Sequence, residues 1–126
     1  MTVFTEGRHA AEFILSEGNG QISRDNVTVH GGFTGATTLK AGTVLGKITS
    51  GGKYAASPVS AGDGSQTAIA VLIDTIDISA GDVTAAVIAR NAEVNGDCLE
   101  YEATVDQDSE KTAKATQLAA VGIIVR

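Results

Sequence analysis

Apolar positions in this chain come in short runs separated by glycines and polar turns, a spacing that predicts strands almost to the C-terminus. Residues 22–29 read as extended, with "NVTV" alternating. The stretch "TTLKAGTVLGKITSGGKYA" (37–55) reads as strand, tight turn, strand, turn. Leu39, Val44, Leu45 and Ile48 supply its apolar contacts, and Gly42 and Gly46 allow sharp changes of direction. "TAIAVLID" (67–74) is unbroken and of strand length, which predicts the most buried strand. Residues 83–94, "VTAAVIARNAEV", lack a helical period and read as one strand ended by Asn95-Gly96. The intervening segments 30–35, 57–66 and 77–82 have loop composition.

The period changes only near the end. Asp108 or Ser109 can cap a helix through "EKTAKATQLAAV", Gly122 stands where a C-terminal glycine is wanted, and "GIIVR" returns to strand. Ala115, Leu118 and Ala119 fall at helical spacing and are expected to face the core. The fold class expected is mainly β with one short C-terminal helix, borderline α+β, as a compact β-clip or small barrel-like domain.

Residues 1–20 are of mixed character, and two readings stand side by side. Residues 12–16 can be the first strand of the sheet, or residues 1–20 can be an arm that orders on a partner. The division taken forward is an arm over 1–20 and a single domain over 21–126.

Composition narrows the class. Aromatics make up 4% of the 126 residues and Trp is absent, so Val, Ile, Leu and Ala must build the core. Fifteen glycines against one proline mean that turns are made mainly by Gly. The net charge is −6 and the nine Lys and Arg are scattered singly, which argues against nucleic acid or an anionic membrane as partner. Cys98 is alone, so no disulfide forms within the chain. "MTVFTEGRH" lacks a basic start followed by an apolar run, so no signal peptide and a cytoplasmic site of synthesis are expected.

Reactive chemistry is hard to find. His9 and His30 lie apart with no Cys or other His nearby, which gives zinc no support. "DQDSEK" (106–111) begins like a calcium loop, but Lys111 and Gln117 occupy the positions of the glycine and the bidentate glutamate. "SGGK" (50–53) lacks the first glycine and the hydroxyl of a phosphate loop, and Ser65 lacks the glycines of a nucleophile elbow. Lys47 and Lys53 sit in hairpin settings unlike those of biotin or lipoate carriers. No catalytic residue, cofactor or metal is expected.

Five segments in fixed order carry a resemblance. "EGRHAAEFILSEGNGQISRDNVTV", "AGTVLGKIT", "DGSQTAIAVLID", "AAVIARNAEVN" and "LAAVGIIVR", spread over residues 6–126, together resemble the head decoration proteins of tailed bacteriophages, the family that includes the decoration protein of phage lambda. The resemblance implies a virion protein made in the bacterial cytoplasm. It would bind the outer surface of the expanded head as homotrimers, at three-fold sites of the major capsid protein lattice. It would act there as a cement against the pressure of packaged DNA, with an N-terminal arm that orders on the capsid.

An extended arm is expected to add a strand to a capsid sheet edge, with Val3, Phe4, Phe13, Ile14 and Leu15 as contacts. Alternation would point Phe13 and Leu15 together and Ile14 oppositely. The loops 30–35 and 57–66 are candidates for trimer contacts. The alternative reading is a small non-catalytic β binding module, carrier-like or surface-displayed, unrelated to capsids.

Overall fold

The computed structural model describes residues 6–7, 9–32 and 38–126. In chain order its strands are β1 (Ile14–Glu17), β2 (Arg24–Val29), β3 (Thr38–Leu39), β4 (Val44–Lys47) and β5 (Tyr54–Ala56). There follow β6 (Ala68–Leu72), β7 (Ile76–Asp77), β8 (Val83–Ile88), β9 (Ala92–Val94), the helix α1 (Asp108–Ala120) and β10 (Ile123–Val125).

Five strands close a barrel in the order β2-β5-β4-β6-β8. Its longest ladder is antiparallel, from Arg24 opposite Ile88 to Val29 opposite Val83. A three-stranded sheet, β1-β9-β10, stands beside the barrel, and β3 pairs with β7 in a small ribbon. The mainly β class with one C-terminal helix, and a small barrel at its centre, are as the sequence led one to expect.

Two apolar clusters explain why the 67–74 run is unbroken. Val71 joins a cluster with Phe13, Val44, Ile88, Val94, Leu118 and Ile123. Its neighbours Ala70 and Leu72 join a second cluster with Val29, Leu45, Ile78 and Val87. Strand β6 is thus walled by core on both faces, a condition that demands an apolar residue at nearly every position. Successive residues Val44 and Leu45 of β4 divide in the same way. Gly46 is fixed by packing: a Cβ there would lie 2.0 Å from the carbonyl oxygen of Ser65, so the strand and the loop between β5 and β6 touch backbone to backbone.

Two details depart from the sequence reading. Residues 83–94 are two strands in two sheets, because the chain breaks between Ile88 and Ala92. Asn91 takes φ +51°, a left-handed conformation that Asn tolerates better than most residues, and the Ala89 N–H turns aside to the Ser23 carbonyl at 2.8 Å. The helix cap is Gln107, with Glu110 Oε1 accepting its N–H at 2.9 Å. Its inward face is Lys114 and Leu118, while Ala115 is half-buried and Ala119 exposed.

Lys114 is 3% exposed, and its Nζ donates to Ser57 Oγ at 2.8 Å, to the Pro58 carbonyl at 2.6 Å and to the Gln66 carbonyl at 2.6 Å. Three donors meet three acceptors, all from the loop between β5 and β6. The helix adds Gln117 Oε1, which accepts the Ala68 N–H at 2.8 Å. Burial pushes the Lys114 amine below its ordinary value, partly opposed by Glu102. The unfolded chain therefore holds that proton more tightly, and this group favours folding more as pH rises towards 10.5. Lys114→Met keeps the apolar stem but leaves the loop carbonyls without donors. It is expected to lower stability by about 1–3 kcal/mol, read as a shift in urea midpoint at unchanged slope.

Candidate functional site

The N-terminal part of the chain carries the expected contact residues, and local bonding ties its later portion to the body. The Ala11 N–H donates to the Ile73 carbonyl at 2.9 Å, and the Ile14 N–H returns to the Ala11 carbonyl at 3.1 Å. Ala11 itself takes φ +61°. Beyond it, β1 pairs antiparallel with β9, and the Phe13 carbonyl accepts the Asn95 N–H at 2.7 Å. After the Asn19-Gly20 turn, Arg24 grips Glu17 through two hydrogen bonds of 2.9 and 2.6 Å. Ser23, fully buried, accepts the Gly18 N–H and donates to the Asn91 carbonyl. Residues 11–20, assigned to the arm by sequence, are in this structure hydrogen-bonded to the body.

The expected contact residues separate accordingly. Val3 and Phe4 lie outside the described residues. Phe13 has no exposed surface and belongs to the first core cluster. Ile14 is half-buried and packs on the same cluster, while Leu15 is 54% exposed. Simple alternation fails because a bulge lies between Ile14 and Ser16: Ile14 opposes Val94, and Ser16 opposes Glu93.

Sequence reasoning missed the rest of this surface. Ile124, 38% exposed, stands opposite Glu93 on β10, whereas Ile123 before it is buried. The available signal was alternation along "GIIVR". Glu93 accepts Ser16 Oγ–H at 3.0 Å and Arg126 Nη2–H at 2.7 Å, which together hold its carboxyl below the usual range, Arg126 foremost. The outward side of the sheet thus offers Leu15 and Ile124 around a carboxylate already neutralised within the chain. Strand β1 is the edge of its sheet, and among the described residues no strand lies on its outer side.

Groups that might carry chemistry are engaged elsewhere. His9 lies 3.4 Å from Glu6 and His30 lies 3.2 Å from Asp82. Among the described residues no cluster of His, Cys, Asp and Glu is placed to hold a metal ion. Ser65 is buried and donates to Asp63 at 2.6 Å, and half-buried Cys98 packs against the first core cluster. Glu110, in the segment that began like a calcium loop, caps α1. An open depression of about 280 Å³ beside β3 is lined by Leu39, Lys40, Glu100, Tyr101 and Glu102. Glu102 there already accepts the backbone N–H and the hydroxyl of Thr104. Among the described residues no helix is long and apolar enough to cross a membrane.

The sequence model of the family described as bacteriophage lambda head decoration protein D matches residues 3–123. The chain belongs to this family. No curated protein matches it. Head decoration proteins are structural components of the phage capsid, not a family of enzymes.

Two measurements check the assignments above. Phe13→Ala should cost about 3–5 kcal/mol, the price of emptying a buried aromatic site, while Leu15→Ala should stay within about 0.5 kcal/mol of the parent in the same denaturation assay. Asp82, held at about 2 by Lys53, the Gly31 N–H and His30 in that order, favours folding fully above the ordinary carboxylate range near 3.8. That contribution is lost as pH falls through about 2, so acid titration of Asp82→Asn should show a shallower loss of stability over that window than the parent.

Proposed function

We propose that this head decoration protein cements the expanded head from outside, as homotrimers at three-fold sites of the major capsid protein lattice. The observation that carries the reading is the family match over residues 3–123. The net charge of −6 supports a place away from DNA, since a phosphate-binding protein would need a basic stripe. Synthesis in the bacterial cytoplasm is part of the same reading.

The contact is made by the residues before Ala11, which add an extended strand to a sheet edge on the capsid. Val3 and Phe4 are the apolar anchors of that strand. Leu15 and Ile124 extend the contact onto the body, replacing Phe13 and Ile14, whose side chains face the core. One such segment binds weakly because ordering it costs entropy. Three on one trimer raise the avidity by ~10²–10⁴ where the geometry lets all engage. Expansion confers selectivity by exposing the edge or aligning the three sites.

The test is co-sedimentation with empty heads of the cognate phage, expanded and unexpanded. Saturable binding to expanded heads alone, with greater resistance to rupture, is expected. A chain lacking residues 2–8 should melt like the parent and lose head binding. Leu15→Glu should keep its melting point and weaken binding at least tenfold. Normal binding by the truncated chain would remove the arm from the mechanism, and no binding by the full chain would remove the cement role.

A further inference from the structure

The barrel has one weak junction. Strands β2 and β8 share six residue pairs, whereas β2 and β5 meet in parallel at a single pair, Val29 opposite Tyr54. One further bond follows it, from the His30 N–H to the Tyr54 carbonyl at 2.8 Å. A carboxylate spans this seam. Asp82, in the connection leading into β8, accepts the Gly31 N–H on Oδ1 at 3.1 Å, with His30 Nδ1 3.2 Å from the same oxygen. Its other oxygen, Oδ2, lies 2.6 Å from Lys53 Nζ. One oxygen therefore holds the chain just past β2, and the other holds the chain just before β5.

Shape reinforces one half of this bridge more than the other. A Cβ on Gly31 would lie 2.0 Å from the Gly81 carbonyl oxygen and 2.6 Å from that of Ile78, and the Gly32 N–H donates to Ile78 at 2.7 Å. The end of β2 is thus seated backbone to backbone on the 78–82 turn. The β5 side depends on Lys53, a flexible side chain 42% exposed to solvent. Behind the seam lies the second apolar cluster, with Val29 fully buried and Tyr54 packed against it.

We propose that Asp82 is the bolt of the barrel and that the β2–β5 seam is a built-in opening point, parting locally while the cluster beneath α1 stays closed. Parting uncovers Val29 and Tyr54 and leaves the β2–β8 ladder in place. The Lys53 arm fails first, because the opposite arm is backed by the seated glycines.

Amide hydrogen exchange in the full chain tests this. The His30 N–H reports the seam, the Gly31 N–H reports the Asp82 bond, and the Leu72 and Val44 N–H groups, bonded to Thr43 and Glu100, report the body. In Lys53→Met, protection at His30 should fall more than twofold, while Gly31, Leu72 and Val44 stay within twofold of the parent. In Asp82→Ala, His30 and Gly31 should both fall tenfold or more with the body unchanged. Protection at His30 within twofold of the parent in Lys53→Met overturns the proposal. So does a loss matched at Leu72 and Val44, which would mean global destabilisation. If Asp82→Ala does not fold, Lys53→Met alone decides.

Discussion

Lys114 sets the relation between the helix and the barrel by a demand that admits few solutions. An ammonium group taken out of water must find an acceptor for each of its protons. Among the described residues no carboxylate is hydrogen-bonded to it, and Ser57, Pro58 and Gln66 answer with neutral oxygens from a loop that has no strand pairing of its own. The loop is shaped by the cation, and the cation is held in place by the loop. Once α1 is seated, Leu118 closes the first cluster over Phe13, Val71 and Ile123. Neighbouring α1, β10 then lies parallel to β9 and completes the small sheet.

That arrangement also separates what the sequence could disclose from what it could not. The unbroken run 67–74 announced the most buried strand, and β6 has core on both of its faces. Glycine spacing placed the turns of residues 37–55, and Gly122 marked the end of the helix. Of the face expected inward Leu118 is buried, but Ala119 and Lys114 exchange places because periodicity scores an alanine as apolar and a lysine as polar, whereas position 114 lies over three oxygens and position 119 over solvent. Tertiary partners distant in sequence decided that choice. The break at residues 89–91 was written in Asn91 but masked by the alanines around it.

The surface was less legible than the fold. A strand reading assigns side chains by alternation, and one inserted residue reverses the assignment for everything before it. The bulge between Ile14 and Ser16 does this, sending Phe13 into the core and leaving Leu15 outside. Nothing in "EFILSEG" marks the bulge, since its cause is the register against β9. The family, by contrast, was legible in full, because ordered segments survive where no single motif is specific.

The hand-over at Asn91 has a mechanical meaning. The chain leaves the barrel as β8 and, across the three residues 89–91, becomes the central strand of the outer sheet as β9. Tension applied to β1 passes through its hydrogen bonds into β9 and along covalent backbone into β8. There the six-residue ladder with β2 resists it. Bonds pulled along the strand axis share a load, whereas bonds pulled apart at one end break in turn. Under the proposed attachment through the N-terminal segment, load reaches the barrel by this path and the barrel serves as the anchor.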